Sequence, residues 1–424
     1  MGAENDDFAF CRATTPRETM VTVTSSGHTP TGTQQPHASH GRSGRRAGKA
    51  APLTVGAEEE YLLVDPETRE VSAEAEKVVA EASRELGDRV TSEITRYQVE
   101  VRTDPHTTLA DFAEQVHATR AAAARAAARQ GLRIISSGTP VLARPGPPPL
   151  TDGPRYARSA AMFRALDDEQ SACACHIHVG VPDLATALRI SNHLRPWIPL
   201  LIALAANSPY WAGRDTGYAS WRTTIWGRWP VAGPPPYFES TSHFEDLVAG
   251  LLATDSVMDR GGLYWDIRPS HHVPTLEFRA ADATGTAADT VLLTGIVKAM
   301  AATALGAIRA GEPAFRPPPE MLRAACWRAA RDGLSGESID LTTGRLAPAV
   351  TQVNQLLSRL RPALQQHGDA EVVHCLWSRL RAHGSRAEAQ RSAHRRRGSI
   401  TDVVDHLIST TSPAGHHDES PRRR

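Results

Sequence analysis

The chain has few cysteines, no excess of either charge and no long hydrophobic run, and each lack disfavours a class of protein. Its five cysteines among 424 residues form no spaced framework, which fits a reducing compartment better than a disulfide-built secreted scaffold. The 47 basic and 47 acidic residues balance, so no global field recruits nucleic acid or an anionic membrane. The most apolar stretch, 197–206, is about half the ~20 residues that a membrane span needs. We therefore expect a cytoplasmic protein without a membrane partner.

Common nucleotide-binding and nucleophile motifs are also missing. The one Gly-Lys pair, Gly48-Lys49, is followed by Ala50, so there is no Gly-x-x-x-x-Gly-Lys-Ser/Thr phosphate loop. We find no strand-linked Gly-x-Gly-x-x-Gly and no Gly-x-Ser-x-Gly of the α/β-hydrolases. If a nucleotide binds, metal ions and arginines must hold its phosphates.

Composition divides the chain into three parts. Residues 1–51 are rich in Thr, Ser, Gly, His and Arg without apolar periodicity, and residues 413–424 have the same character. Such segments bury too little apolar surface to offset chain entropy, so both are predicted to be disordered. No boundary interrupts residues 52–412, which we expect to form a single domain.

Hydrophobic periodicity within 52–412 alternates between strand and helix patterns. Thr108 opens a Thr-x-x-Asp pattern that predicts a helix start, and Gly87 is placed to end the preceding helix. Six strands are predicted, several joined by long helical segments, and a helical part follows the last strand. This order predicts an α+β fold in which helices cover a sheet. The predicted strands span 55–64, 90–103, 132–138, 171–181, 263–268 and 275–281.

The segment GAEEEYLLVDPET, residues 56–68, places three glutamates at the head of a strand-like run. Side chains alternate along a strand, so Glu58 and Glu60 point to one side and Glu59 to the other. A carboxylate left unpaired in a buried site costs several kcal/mol or takes up a proton. A bound cation would remove that cost.

Three further predicted strands repeat the pattern of a largely apolar back and a charged front. Four acids crowded on one surface repel each other and cannot all ionise unless divalent cations neutralise them. Carboxylate-rich ligation with an imidazole suits Mg²⁺ or Mn²⁺ better than zinc, and neighbouring arginines suit phosphate or carboxylate groups. The predicted front carries Glu58, Glu60, Glu100, His176, His178 and Glu277, with Arg96, Gln98, Arg102 and Arg279 beside them.

Each of these features alone has a simpler explanation. A glutamate run is commonly solvated surface, a His-x-His pair is a weak signal, and Glu277 with Arg279 could be a structural ion pair. The Cys-x-Cys-His-x-His run suggests zinc, but alternation sends Cys173 and Cys175 to the face opposite His176. The recurrence of one front chemistry on four strands favours a functional site.

Six segments in a fixed order resemble the ATP-dependent carboxylate–amine ligase family, the YbdK-like proteins called glutamate–cysteine ligase type 2. The resemblance covers about residues 53–382. It implies a glutamine-synthetase-like, mainly antiparallel sheet within one catalytic domain. It also implies ATP-driven amide formation with Mg²⁺ (or Mn²⁺), in which a carboxylate, most often the γ-carboxylate of glutamate, is phosphorylated and cysteine or another amine displaces the phosphate. The segments are VGAEEEYLLVD, QVEVRT, CHIHVGVPD, ANSPYWAGRDTGYASWRTTIWGRWP, WDIRPS and TLEFRAADA.

The resemblance also implies a role for each matching residue. Glu58, His176 and Glu277 resemble ligands of a metal at the transferred phosphate, and Glu60 and Glu100 resemble ligands of a second metal. The remaining expected roles are Arg279 at the phosphates or acyl phosphate, His178 at substrate or phosphate, Arg102 and Arg222 at substrate carboxylates, and Trp211, Arg214, Tyr218 and Trp226 in a loop that caps substrate or the nucleotide base.

Two other functions remain open from the sequence. The same face could belong to a metal-dependent hydrolase that cuts an amide or phosphoester with metal-activated water. The Arg-Arg-Arg runs at 395–397 and 422–424 could instead serve a binding protein that contacts nucleic acid, although terminal charge runs are usually only solvated. We expect small-molecule partners and no nucleic acid, and we leave a homodimer open.

Overall fold

The computed structural model describes residues 53–143, 146–169 and 171–412. The disorder expected for 1–51 and 413–424 lies outside the described residues. Among the described residues, a seven-stranded sheet has the order β2-β3-β1-β5-β9-β8, with β4 paired to β1, and its pairings are antiparallel. Its strands are β1 (Val55–Val64), β2 (Val90–Ser92), β3 (Gln98–Arg102), β4 (Arg133–Ile135), β5 (Ala174–Gly180), β8 (Ile267–Pro269) and β9 (Thr275–Asp282). Two hairpins pair β6 (Tyr210–Trp211) with β7 (Arg214–Asp215) and β10 (Glu337–Asp340) with β11 (Arg345–Pro348).

Helices cover the sheet and form most of the chain after β9, as the periodicity predicts. Short 3₁₀ turns lie at Gly87–Arg89, Arg195–Trp197, Arg260–Gly262 and Gly333–Ser335. The helices before β9 are α1 (Ala75–Leu86), α2 (Leu109–Arg129), α3 (Pro154–Phe163), α4 (Ala165–Asp168), α5 (Leu184–Leu194), α6 (Ile198–Ala205), α7 (Trp221–Trp226) and α8 (Thr241–Ala253). Those after it are α9 (Ala287–Arg309), α10 (Pro319–Asp332), α11 (Ala349–His367), α12 (Ala370–His383), α13 (Arg386–Arg397) and α14 (Thr401–Thr411).

Local sequence signals set several helix ends where they were expected. Thr108 caps α2 by accepting a hydrogen bond from the Asp111 amide at 3.2 Å. Gly87 ends α1 with φ of 64°, a conformation that glycine adopts without a Cβ clash. The start of α9, for which no cap was predicted, is a reciprocal capping box of Thr286 and Asp289.

The apolar back of the sheet packs on α2 and α9, which contact each other. Helix α9 is long and apolar enough to cross a membrane by composition, but 67% of its most apolar window is buried inside the protein, as in a core helix. Gly295 lets α9 approach its neighbours closely, since a Cβ there would lie 2.6 Å from Val373 Cγ2. The buried Lys298 Nζ lies 3.0 Å from Asp369 Oδ2, which ties α9 to the start of α12.

The predicted strand 90–103 is in fact a hairpin. Strands β2 and β3 pair with each other, with Val90 opposite Val101, and the chain turns between them. The turn is held by the Thr95 hydroxyl, which donates to Gln98 Oε1 at 2.7 Å. Arg96 therefore lies in the turn, and the prediction that it shares a strand face with Glu100 is wrong. A side-chain hydrogen bond of this kind leaves no mark on hydrophobic periodicity.

Candidate active site

A cavity of about 420 Å³ opens on the front of the sheet. Its floor is made of side chains from β1, β3, β5 and β9. Its walls come from α3, from α7 and from the segment 258–272. Acidic residues from the strands therefore face arginines and aromatic rings from the walls.

Strand register brings the predicted acids and histidines together. Glu58 lies opposite His176 on β5, and Glu60 lies opposite Glu100 on β3. His178 lies opposite Glu277 on β9. Residues far apart in sequence thus meet on the front face, as alternation predicted.

The first cluster of candidate metal ligands consists of Glu58, His178 and Glu277, whose ligand atoms lie within 4.8 Å of one another. Thr275 Oγ1 lies 2.8 Å from His178 Nδ1, which leaves Nε2 to face Glu58 Oε1 at 3.4 Å. Neutral imidazole binds a metal through one nitrogen while the other is held by a hydrogen bond. The geometry therefore makes His178 a candidate ligand, where the sequence had indicated His176.

His176 lies between the two groups of acids. Its Nδ1 is 3.1 Å from Glu58 Oε2, and its Nε2 is 3.8 Å from Glu60 Oε1. Burial, followed by the charge of Arg279, lowers the pKa of His176 to about 4. The ring is therefore neutral near pH 7 and can contribute a nitrogen lone pair to either side.

The carboxylates of the first cluster are ionised. Burial pushes the pKa of Glu58 upward, but hydrogen bonds with His176 and His178 outweigh it and hold that pKa well below its usual range. Burial likewise opposes ionisation of Glu277, but Arg279 and Arg268 hold its pKa low. A negatively charged pair of this kind can bind a cation without first losing a proton.

The second cluster consists of Glu60, Glu93 and Glu100, whose oxygens also lie within 4.8 Å of one another. Burial and then the charge of Glu93 raise the pKa of Glu60 to about 8. Burial and the charges of Glu58, Glu93 and Glu60 raise the pKa of Glu100 well above its usual range. Three carboxylates this close, two of them buried and that of Glu93 half-buried, cannot all ionise together without a cation, and an all-oxygen set fits Mg²⁺ or Mn²⁺.

Glu93 follows β2 and was not predicted as a site residue, because periodicity predicts one continuous strand from 90 to 103. The signal that could have found it is the Thr95-x-x-Gln98 pair, which turns the chain back on itself. Once the turn is placed, Glu93 must lie near Glu100.

Glu59, the middle glutamate of the opening segment, has a structural role. It is 3% exposed on the opposite face, and its Oε1 lies 2.6 Å from Arg120 Nη2. Thr290 Oγ1 and the Tyr61 hydroxyl also donate to it, at 2.6 and 2.8 Å. The charge is thus paired and hydrogen-bonded in the core, as a buried carboxylate requires.

Arg222, Arg268 and Arg279 line the cavity on its basic side, and Arg155 is a fourth arginine in its lining. Arg268 donates to both oxygens of Glu277, at 2.8 and 3.1 Å, and Arg279 donates to the same carboxylate. Arg222 donates to the Arg279 carbonyl at 3.2 Å. Arg279 lies at an irregularity in the register of β5 and β9, where a bulge redirects side chains. Arg268 was not among the predicted site residues, although its motif was recognised.

Of the predicted loop residues, only Trp226 lines the cavity. Its ring lies 4.9 Å from Tyr264 and 5.8 Å from Trp229, in an aromatic wall. Arg214 is exposed over the Trp221 ring, and the Tyr218 hydroxyl accepts from Trp327 at 3.1 Å, both outside the cavity lining.

Arg102 and Trp211 also lie outside the cavity lining. Arg102 lies at the end of β3, where its guanidinium donates to the Asp88 carbonyl and its Nε is 3.9 Å from Glu100. The geometry therefore gives no support to the substrate roles expected for Arg102 and Tyr218 or to the nucleotide role expected for Arg214.

Comparison with known proteins agrees with the fold. The family model of glutamate-cysteine ligase family 2 (GCS2) matches residues 54–406. A relative from Saccharopolyspora erythraea, named "Putative glutamate–cysteine ligase 2-1", is 46% identical over 365 residues, which cover 85% of this chain and 95% of the relative. A protein from Mycobacterium sp. (strain KMS), "Putative glutamate–cysteine ligase 2-2", is 44% identical over 363 residues, covering 85% and 99%.

Two solved structures share the fold at low sequence identity. Glutamate–cysteine ligase from Francisella tularensis in complex with AMP superposes with a TM-score of 0.63 at 11% identity, covering 86% of this chain and 89% of that one. A bifunctional glutathione synthetase from Pasteurella multocida gives a TM-score of 0.63 at 13% identity, covering 85% of this chain and 52% of that one.

Fold and site together define an ATP-dependent carboxylate–amine ligase with a glutamine-synthetase-like sheet, as the sequence predicted. Within this class, the chain belongs to glutamate–cysteine ligase family 2.

Proposed function

We propose that this ligase joins the γ-carboxylate of glutamate to cysteine or another amine through an acyl phosphate. ATP would phosphorylate the carboxylate, and the amine would then attack the acyl carbon and release phosphate. The observation that carries the proposal is a pair of neighbouring carboxylate clusters, of which Glu58 and the whole second cluster line a cavity that Arg222, Arg268 and Arg279 also line. An enzyme that transfers a phosphoryl group without a phosphate loop needs this combination of charges.

We further propose that two divalent cations, Mg²⁺ or Mn²⁺, bind in this cavity. The residues that would hold them are Glu58, His178 and Glu277, with His176 beside them, and Glu60, Glu93 and Glu100. The orientation of His178 supports this assignment, because Thr275 holds its Nδ1 while its Nε2 faces the Glu58 carboxylate at 3.4 Å. When bound, such ions neutralise phosphate oxygens and stabilise the charge that spreads during phosphoryl transfer.

The chain's own residues would bind and orient the reactants. Arg279 and Arg222 present guanidinium groups that suit phosphate or carboxylate oxygens, and both are at least nine-tenths buried. Arg268 holds the Glu277 carboxylate by two hydrogen bonds. The ring of Trp226 and that of Tyr264 would exclude water from the acyl phosphate, which hydrolysis would otherwise destroy.

Release of ADP tests the proposal. Purified protein with ATP, Mg²⁺, glutamate and a panel of amino acids and amines should release ADP and phosphate only when both organic substrates are present. Hydroxylamine as the amine should give the γ-glutamyl hydroxamate, the product expected from an acyl phosphate. Absence of ADP release across the panel would contradict the proposal, and metal-dependent hydrolysis of amides or phosphoesters without ATP would favour a hydrolase instead.

We also propose a cytoplasmic location and a homodimer. Cys173, Cys175 and Cys326 are buried free thiols, which are compatible with a reducing compartment. Cell fractionation and light scattering check these two proposals.

A further inference from the structure

Asp282 ends strand β9 behind the cavity and is 1% exposed. Its carboxylate accepts three hydrogen bonds from one neighbouring segment. Oδ2 accepts from the Asn207 amide at 2.8 Å and from the Ser208 hydroxyl at 2.7 Å. Oδ1 accepts from the Ser220 hydroxyl at 2.7 Å. All of these donors are neutral groups of the segment 207–220, so the hydrogen bonds of the carboxylate fix that segment against β9.

Two of the donors determine where helix α7 begins. The Ser220 hydroxyl caps α7 by accepting from the Thr223 amide at 3.2 Å. The Ser208 hydroxyl accepts from the backbone amide of Arg222 at 3.0 Å. Helix α7 has six residues, too few to be stable by itself, so its position depends on such contacts.

Helix α7 carries Arg222 and Trp226 into the cavity. The same strand that ends at Asp282 carries Glu277 and Arg279, and Arg222 Nη2 donates to the Arg279 carbonyl at 3.2 Å. Arg222 is thus attached to β9 at its backbone, through Ser208 and Asp282, and at its guanidinium. These attachments set its distance from the acidic clusters.

One donor of Arg222 is left for a ligand. Its Nε is buried and has no hydrogen-bond partner in the part of the chain that the structure describes. A buried donor of this kind calls for an explanation, and a bound anion in the cavity supplies one. Gly138 adds to the rigidity, since a Cβ there would fall 2.7 Å from the Asp282 carboxyl carbon.

We propose that Asp282 is a positioning residue, which holds α7 against β9 so that Arg222 meets an anionic group of a substrate, either the carboxylate or a phosphate of ATP. The assignment of Arg222 to such a group rests on the proposed function. Displacing a binding group by about 1 Å can cost on the order of 100-fold in rate. Asp282→Asn, which keeps the shape but replaces one accepting oxygen by an NH2 donor, should therefore lower kcat/KM by about 10- to 100-fold.

A double-mutant cycle with Arg222→Lys tests this route of action. If Asp282 acts through Arg222, Asp282→Asn should cost little further activity or binding in the Arg222→Lys background, because energies of coupled residues do not add. Equal losses in both backgrounds, or no loss in Asp282→Asn alone, would overturn the proposal. Should Asp282→Asn fail to fold, Ser208→Ala removes the link to the Arg222 amide and takes its place in the cycle.

Binding measurements separate the two anionic groups and do not depend on turnover. Calorimetric titration measures the affinity for L-glutamate and, separately, for ADP with Mg²⁺. For one of these ligands Asp282→Asn should raise Kd, and Arg222→Lys should raise Kd for the same ligand by the same factor. Unchanged affinity for both ligands would overturn the inference. If the wild type binds ADP but never forms it from ATP in the presence of glutamate and amines, the proposed function fails. The double-mutant cycle, measured as ADP or glutamate binding, then still decides the role of Asp282.

Asp369→Asn is the matched control. Asp369 is 4% exposed and pairs with Lys298 between α9 and α12, away from the cavity lining. This variant should lose stability with kcat/KM and ligand affinity unchanged. A general loss of stability therefore cannot account for a change seen only in Asp282→Asn.

Discussion

Carboxyl oxygens of Glu93 and Glu100 lie within 4.8 Å of each other across the β2–β3 hairpin, and both lie within 4.8 Å of Glu60. Burial raises the pKa of Glu93, so this crowded group of carboxyls favours the retention of a proton. A divalent cation between these carboxylates would neutralise their negative charge in place of the proton. The hairpin therefore forms one side of the second proposed metal position.

Replacing Glu93 tests that position. Glu93→Gln should weaken Mn²⁺ binding by at least about tenfold at one of two sites, since loss of a carboxylate ligand costs more than loss of an outer-shell partner. Titration followed by electron paramagnetic resonance counts the sites and gives their affinities. Glu67→Gln, on an exposed turn, should bind Mn²⁺ as the wild type does, and equal affinity in Glu93→Gln would remove Glu93 from the ligand set.

Replacing Glu277 tests the chemistry. Glu277→Gln keeps the volume but removes the charge shared with Arg268 and Arg279, so ADP release should fall at least about 100-fold. Circular dichroism should show an intact fold. Glu320→Gln, at the exposed start of α10, is the control expected to keep full activity, and activity retained in Glu277→Gln would exclude that carboxylate from the mechanism.

The buried pair of Glu59 and Arg120 should matter for stability. Glu59→Gln leaves Arg120 without its counter-charge in the core, which should lower the free energy of unfolding by about 3–5 kcal/mol. Urea denaturation measures the loss. Glu85→Gln breaks the half-exposed pair with Arg125 and should cost less than about 1 kcal/mol, so similar losses in the two variants would contradict this account.

His406 on α14 should make stability depend on pH. Burial, followed by the charges of Arg386 and Arg396, lowers the pKa of His406 in the folded protein to about 4. The unfolded chain takes up the proton near pH 6.5, so the stability present above that pH is lost as the pH falls from 6.5 towards 4. Melting temperatures of the wild type should therefore drop more steeply between pH 7 and 5 than those of His406→Gln. Parallel curves for the two proteins would show that His406 does not titrate in this way.

Much of the front face was predictable because alternation is a local property of the chain. Glu58, Glu60, His176 and Glu277 converge as expected once their strands are paired, and Thr108 begins its helix where the capping pattern placed it. These features depend on neighbours along the sequence and on the period of two in a strand.

The remaining features depend on contacts between distant residues. Whether Arg102 or Arg268 reaches the cavity is decided by the walls around it, which periodicity does not describe. The addition of His178 to the candidate ligands follows from its contact with Thr275 on the adjacent strand, and His176 remains a predicted ligand. The position of Glu93 follows from a side-chain hydrogen bond in a turn.

The three consecutive glutamates of β1 lie on both faces of one strand, with Glu58 and Glu60 on the cavity side and Glu59 in the core. Suppose that a single residue is inserted just before Glu58 and that residues 55–57 keep their pairing. Every later side chain of β1 would then move to the opposite face, because the side-chain period is two. Glu59 would then enter the cavity, and its neighbours would be driven into the core position beside Arg120, which now holds a single carboxylate. The number of residues in this strand is therefore more tightly constrained than the identity of each residue. Insertions or deletions here should eliminate folding and activity together.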